Sequence, residues 1–118
     1  MRTKKVIIAG YRDFNDFNFL EEKLNEILTN NNNIEIVSGT ARGVDQMGER
    51  YALKNNIPVK RFPANWDKYG KRAGYLRNDE MAKYADALIA FWNGTSRGTG
   101  HMIDLAKRNG LEVTVIKC

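Results

Sequence analysis

The chain has 118 residues, of which 42% are hydrophobic and 28% are charged. This is an ordinary globular composition, and it excludes intrinsically disordered, collagen-like and coiled-coil classes. At this length we predict a single domain covering residues 1–118. Nineteen Lys and Arg residues against 14 Asp and Glu give a net charge of +5, which favours an anionic partner such as a nucleotide, phosphate or nucleic acid.

Cys118 and His101 are the only residues of their types. One cysteine excludes an intrachain disulfide, and one histidine argues against a two-histidine zinc site, so we predict no metal and no cofactor. The apolar run after the basic N-terminus spans only Val6–Ala9, which is too short for a signal peptide or a membrane span. We therefore expect a soluble, cytoplasmic protein without membrane contact.

The first part of the chain alternates short apolar runs with residues at helical spacing. Val6–Ala9 predicts a first strand that is buried on both faces. Leucines at helical spacing predict a helix that begins near Asp16 or Asn18 and is stopped by the asparagines 30–33. Residues 34–37 predict the second strand.

Apolar residues on one face predict a second helix over Val44–Ala52. Gly48 lies inside this helix, where glycine costs about 1 kcal/mol against alanine, so we expect it to contact the sheet closely. Residues 58–62 predict a third strand that begins with proline, and residues 64–71 predict a longer loop.

A third helix is predicted over residues 73–84, and residues 87–92 form the most apolar strand, which we expect to be central. The loop 93–100 precedes a fourth helix that ends before Gly110, and residues 111–116 predict a last strand. Strands alternating with helices indicate an α/β fold, with an open parallel sheet of about five strands and helices on both faces.

In such a sheet, ligands bind beyond the carboxyl ends of the strands, so the loops there are candidate sites. After the first strand, Gly10 permits a sharp turn, and Arg12 either contacts a phosphate or carboxylate or pairs with Asp13. After the fourth strand, the loop 93–100 offers hydroxyls and backbone N–H donors that suit a phosphate. His101 follows it, and we expect a capping or packing residue there.

The loop 38–43 leads from the second strand into a helix, whose N-terminus offers donors and a favourable dipole to an anion. Arg42 adds a positive charge, whereas Asp45 either accepts from ligand hydroxyls or stabilises its own helix N-terminus. Neither G-x-G-x-x-G nor G-x-x-x-x-G-K-[ST] occurs in the sequence, so ordinary dinucleotide and P-loop binding lose their main support.

Residues 65–74 mix aromatic and basic side chains. Trp66 and Tyr69 either stack on a base or cover the sheet edge, and the basic residues that follow, including Arg72, suit phosphates. Arg77, next to Asn78, can point with the apolar face of its helix toward the sheet end, where it needs an anion or a carboxylate.

Arg12 and Arg42 lie in two of these loops, and Arg77 lies one turn into the helix that follows a third. We predict that Arg12, Arg42 and Arg77 converge near the loops that contain Ser38 and Gly94, because the carboxyl ends of parallel strands share one edge of the sheet.

Five segments in this order resemble the YspA-like (cpYpsA-related) branch of the SLOG superfamily: 10–14, 38–45, 64–74, 77–78 and 91–99. The resemblance implies a Rossmann-like fold that binds nucleotides or nucleotide-derived ligands. Its LOG relatives are phosphoribohydrolases that cleave the base from a nucleoside monophosphate and associate through helices, and its DprA relatives bind single-stranded DNA. A homo-oligomer is a possible consequence of the same resemblance.

The chain departs from the LOG pattern at two motifs. The stretch Ser38–Gly43 stands where LOG enzymes carry Gly-Gly-Gly-x-x-Gly. Met102 stands where their Gly-Gly-x-Gly-Thr-x-x-Glu motif places the Glu that helps to stabilise the ribosyl cation, and Asp104 is the nearest acid. The phosphate-binding part of this motif remains, in Gly98 and Thr99.

We therefore predict a sensor or ligand-binding module for a nucleotide or nucleotide-derived molecule. The alternatives are a LOG-like hydrolase, with Asp45 as candidate catalytic residue, and, less favoured, DprA-like binding of single-stranded DNA. The residues predicted to bind the ligand are Gly10, Arg12, Ser38, Gly39, Arg42, Gly43, Asp45, Trp66, Arg72, Arg77, Asn78, Gly94, Ser96, Gly98 and Thr99.

Overall fold

The structure, a computed structural model, describes residues 3–29 and 33–118. Most of the asparagine run that was predicted to stop the first helix lies outside these ranges. The described elements are β1 (Lys4–Gly10), α1 (Phe17–Leu28), β2 (Ile34–Ser38), α2 (Val44–Lys54), β3 (Val59–Arg61), α3 (Trp66–Tyr69), a 3₁₀ turn (Gly70–Arg72), α4 (Ala73–Tyr84), β4 (Ala87–Trp92), α5 (Arg97–Arg108) and β5 (Glu112–Lys117).

Within the described ranges, five parallel strands form one sheet in the order β3-β2-β1-β4-β5. The predicted α/β fold with an open parallel sheet is thereby confirmed. The chain adds β2 and β3 on one side of β1 and then returns to add β4 and β5 on the other. The strand order therefore reverses between β1 and β4, where Gly10 pairs with Phe91, and this is the position at which such sheets bind ligands.

Alternate residues of β1 enter two separate hydrophobic layers. Val6 and Ile8 pack with residues of α1 and α2 on one face, and Ile7 and Ala9 pack with residues of α4 and α5 on the other. Because both faces are covered, β1 and the adjacent β4 consist of nearly continuous apolar residues. None of the described helices is both long enough and apolar enough to cross a membrane.

Two helix boundaries differ from the prediction. The predicted loop 64–71 contains α3 and most of the 3₁₀ turn, and the Asn65 side chain caps α3 by accepting from the Lys68 N–H at 3.1 Å. The last helix begins at Arg97, so the glycines at 98 and 100 lie in its first turns rather than in a loop. Glycine has a low helix propensity, yet Thr99 between the two glycines is buried in this turn.

Other local predictions are confirmed. The Asp16 side chain caps α1 by accepting from the Phe19 N–H at 3.0 Å. Gly110 follows α5 with φ +75°, the left-handed conformation that favours glycine after a helix. Gly48 has the predicted packing reason, because a Cβ at this position would lie 2.9 Å from the Cβ of Ile8 on the sheet.

Replacing Gly48 with alanine should destabilise the protein. The added methyl collides with Ile8, and overpacking of about 1–3 kcal/mol outweighs the gain of about 1 kcal/mol in helix propensity. We expect a net loss of up to about 2 kcal/mol in the free energy of unfolding, measured with urea. The matched control is Gly98→Ala in α5, where a Cβ meets nothing within 4 Å. Equal stability of the two variants would contradict the packing of α2 on β1.

Candidate functional site

A pocket of about 430 Å³ opens at the carboxyl ends of β1 and β4, where the strand order reverses. Nine predicted ligand-binding residues line it: Gly10, Arg12, Arg42, Asp45, Arg77, Asn78, Ser96, Gly98 and Thr99. Further lining residues were missing from the prediction: Ala9, Tyr11, Asp13, Ala41, Met81, Asn93 and Met102. Most of the missed residues are neighbours of predicted ones in the same loops or lie one helical turn away. Their distance along the chain from the predicted residues could therefore have identified them.

Three arginines from three different elements line this pocket. Arg12 follows β1, Arg42 precedes α2 and Arg77 projects from α4. Arg12 and Arg42 are exposed, whereas Arg77 is partly buried. Arg42 lies 3.8 Å from the carboxylate of Asp13, with both side chains largely in solvent. All three arginines therefore line the same pocket, and their role in binding a ligand stays a prediction.

The remaining predicted residues do not line the pocket. Three of them, Ser38, Gly39 and Gly43, contact the residues that support or form its lining. Ser38 is fully buried and donates to Glu49 at 2.6 Å. Gly39 offers its carbonyl oxygen to the Arg77 guanidinium. Gly43 has φ +82°, and a Cβ on it would lie 2.5 Å from the carbonyl oxygen of Arg12. The others outside the lining are Trp66, Arg72 and Gly94.

The Arg77 guanidinium holds the loop between β2 and α2. It donates to the carbonyl oxygen of Gly39 and, through Nε, to Oδ1 of Asn78 at 3.0 Å. A Cβ on Gly39 would lie 2.8 Å from both Nη1 of Arg77 and Oδ2 of Asp45. A side chain at position 39 would therefore require one or both charged groups to shift. Burial lowers the pKa of Arg77, and the negative charge of Asp45 opposes this effect.

Asp45 lies in the first turn of α2 and is only 5% exposed. Its Oδ2 accepts from the Ala41 N–H at 3.3 Å. Burial raises its pKa from the ordinary 3.8 to about 6, while Arg77 and the Ala41 N–H act in the opposite direction. Because Asp45 both lines the pocket and holds its own loop, the geometry is compatible with both roles considered from the sequence.

Two helices begin at the pocket. In the described chain, no side chain caps the N-terminus of α2 at Gly43 or that of α5 at Ser96. The hydroxyls of Ser96 and Thr99 lie 3.1 Å apart in a hydrogen bond. The first N–H groups of a helix have no partner within it and carry partial positive charge, so both helix ends favour an anion.

Asn78 joins α4 to α5 at the back of the pocket. Its Nδ2 lies 3.2 Å from Nδ1 of His101 and donates to the Gly98 carbonyl oxygen at 3.4 Å. The His101 ring packs edge-on against Tyr75, with centroids 4.5 Å apart, and burial lowers its pKa. His101 is therefore the packing residue that the sequence predicted.

The acid chemistry at the pocket is limited to two residues. Of the lining residues that the structure describes, only Asp13 and Asp45 carry a carboxylate. Met102, which stands where LOG enzymes have a glutamate, lines the pocket and is 1% exposed. No group of three or more His, Cys, Asp or Glu side chains among the described residues could hold a metal ion.

Comparison with known proteins identifies the family of this chain. The sequence model of the family described as YspA, cpYpsA-related SLOG matches residues 4–69. The Gene 61 protein of Mycobacterium phage D29 is 33% identical over 117 residues, which cover 93% of this chain and 94% of that protein. The resemblance inferred from the sequence motifs is confirmed.

The fold also matches a solved structure. The X-ray structure of DNA processing protein A (DprA) from Streptococcus pneumoniae gives a TM-score of 0.78 at 20% sequence identity and covers 98% of this chain. The chain spans 50% of the length of that DprA chain. At this identity the similarity concerns the fold, and it confirms the Rossmann-like α/β architecture.

The buried carboxylate of Asp45 should make stability depend on pH. Its pKa is about 6 in the native state against 3.8 ordinarily, so ionisation destabilises the native state increasingly from about pH 4 to pH 6. Asp45→Asn removes this effect and keeps an acceptor for the Ala41 N–H. We expect the stability of the variant relative to the native protein to rise by about 2 kcal/mol between pH 4.5 and pH 7.5, measured by urea unfolding.

Asp13→Asn is the matched control, because the Asp13 side chain is 90% exposed and its ion pair with Arg42 contributes little. The stability difference between this variant and the native protein should not change over the same pH range. A pH-independent difference for Asp45→Asn would mean that Asp45 ionises in the native state much as it does in the unfolded chain.

Proposed function

The chain belongs to the YspA, cpYpsA-related SLOG family, and we propose from this premise that its pocket binds a nucleotide or nucleotide-derived ligand. In this proposal the protein acts as a sensor or ligand-binding module. One observation carries it: the side chains of Arg12, Arg42 and Arg77 meet at a pocket where α2 and α5 begin. Guanidinium groups and helix N-termini are the two groups that proteins use most readily for phosphate.

The three arginines have different roles in this proposal. Arg77 already donates to Gly39 and Asn78, so it fixes the pocket wall and supplies charge from behind. The exposed guanidiniums of Arg12 and Arg42 contact the phosphate directly. The Ser96 and Thr99 hydroxyls and the first N–H groups of α5 complete the phosphate site.

The size of the pocket favours a compact ligand. A volume of about 430 Å³ lies in the range of pockets that hold small molecules, about 300–1,000 Å³. All charged lining groups of the described chain lie at the one edge of the sheet where its strands end. A mononucleotide or a similar phosphate-bearing molecule fits this arrangement better than a long polymer.

A hydrolase that cleaves an N-glycosidic bond is the second candidate, because Asp45 is a buried carboxylate at the pocket. In that case Asp45 contacts the ribose hydroxyls and the arginines hold the phosphate. Release of free base from nucleoside monophosphates, followed by chromatography and abolished by Asp45→Asn, would establish this activity. Binding without base release would establish the sensor function instead.

Binding of single-stranded DNA is the third candidate. The fold similarity to DNA processing protein A, the net charge of +5 and the exposed Trp66 and Tyr69 favour it. Affinity that falls steeply with salt indicates several phosphate contacts. A strand that binds far more tightly than a mononucleotide, with such a salt dependence, would favour this candidate over a small ligand.

Replacing Arg12 or Arg42 with glutamine should weaken nucleotide binding without weakening the fold. Each loses a charge-assisted hydrogen bond to phosphate, which corresponds to about tenfold or more in Kd. We expect this loss in calorimetric titrations with AMP, GMP, CMP and UMP, while the Tm without ligand stays unchanged because both side chains are exposed.

Arg108→Gln is the matched control for net charge. Arg108 is the last residue of α5, at the end of the helix opposite to the pocket. This variant should bind nucleotides as the native protein does. If all three variants lose affinity equally, the effect comes from overall charge, and the proposed phosphate site is wrong.

A further inference from the structure

Trp66 is half exposed, with 50% of its surface in solvent, although tryptophan is usually well buried. It begins the short helix α3, just before α4. No contact described so far explains why such a large apolar ring lies at this surface.

The ring lies next to the pocket face of α4. Gly74, Arg77, Asn78 and Met81 follow one another at helical spacing, so they share one face of this helix. The last three line the pocket. A Cβ on Gly74 would lie 3.3 Å from Cη2 of Trp66 and 3.8 Å from Nη2 of Arg77. The edge of the indole and the Arg77 guanidinium therefore both lie close to Gly74, at the N-terminal end of this face.

Two other aromatic residues near the site are engaged elsewhere. Tyr75, which is 48% exposed, packs against His101. Trp92 donates through Nε1 to the Ser96 carbonyl oxygen at 3.0 Å and covers Gly100. Trp66 combines an exposed ring with a position near Gly74, on the helix face that carries Arg77.

We propose that Trp66 is a stacking subsite for the base of a nucleotide whose phosphate occupies the arginine-lined pocket. This inference rests on the proposed function and adds the residue that holds the base, outside the pocket that holds the phosphate. The absence of a side chain at Gly74 lets the indole approach α4 one helical turn before Arg77. A ring that is fixed on one side and open on the other is suited to stacking, and stacking tolerates any base.

A single nucleotide is favoured over a strand because the ring and the pocket lie on the same face of one helix. The basic residues that continue from Trp66, Lys68, Lys71 and Arg72, are exposed and do not line the pocket. A strand would use them for further phosphates, whereas a mononucleotide does not need them.

The test compares ligands with and without a base. Isothermal titration calorimetry measures the binding of AMP, GMP, CMP, UMP and ribose 5-phosphate to the native protein, Trp66→Ala and Tyr75→Ala. We expect Trp66→Ala to weaken binding of the four nucleotides by about 5- to 150-fold, the usual range for loss of one base–aromatic stack. Binding of ribose 5-phosphate should stay the same in all three proteins.

One further variant and the Tyr75→Ala control separate stacking from structure. Trp66→Phe keeps an aromatic ring and should restore most of the nucleotide affinity. Tyr75→Ala removes a similarly exposed ring from the nearby first turn of α4 and should change nothing beyond twofold. Circular dichroism and thermal unfolding check that Trp66→Ala folds, and Trp66→Phe serves for the comparison if it does not.

Each outcome decides between the two levels of the proposal. If Trp66→Ala weakens the nucleotides and ribose 5-phosphate equally, or neither, the stacking subsite is wrong while the phosphate site stands. If the native protein binds none of the five compounds, both are wrong. A single-stranded oligonucleotide is titrated in the same way. If Trp66→Ala weakens its binding but that of none of the four nucleotides, the subsite belongs to a strand, and the mononucleotide proposal is overturned.

Discussion

The Arg77 guanidinium, donating to the carbonyl oxygen of Gly39, is the interaction on which the site depends. It connects α4 to the loop between β2 and α2. A partly buried positive charge requires a partner, and the negative charge of Asp45 acts on Arg77 from the same side of Gly39. These three residues form a closely packed unit, since a Cβ at Gly39 would lie 2.8 Å from both charged groups and would require them to shift.

This unit explains how the sheet presents its loops to a ligand. In the loop after β2, the carbonyl oxygen of Gly39 accepts from Arg77. The hydroxyl of Ser38 accepts from the Thr40 N–H at 3.1 Å and donates to Glu49. Glu49 is in turn paired with Arg61 of β3 at 2.8 Å. The loop that leads into α2 is therefore held by contacts within the protein. We expect little further ordering of this loop when a ligand binds.

Much of the fold could be predicted because it follows from local patterns. Continuous apolar runs predicted β1 and β4, and helical spacing predicted α1, α2 and α4. Helix α3 was missed because four residues are too few to show a period, and its Asn65 cap resembles ordinary loop sequence. The start of α5 at Arg97 was missed because the glycines next to it indicate a loop. In the structure this stretch is helical, and Thr99 within it is buried.

Which residues line the pocket could be predicted in part. The geometry common to parallel sheets places Arg12, Arg42 and Arg77 at one edge, and all three line the pocket there. The contacts that support them, such as Ser38 with Glu49, depend on long-range packing that no local spacing indicates. For the same reason the sequence could not show that Gly39 and Gly43 face the protein rather than the pocket.

The most direct measurement of the central claim is the change in backbone amide signals when AMP is titrated into ¹⁵N-labelled protein. The largest shifts should fall on Arg42, Val44, Gly98 and Thr99, at the N-termini of α2 and α5, with smaller ones on the loop after β1. Shifts of similar size spread over the sheet edge at β3 or β5, or no shifts at millimolar AMP, would contradict a nucleotide site at this pocket.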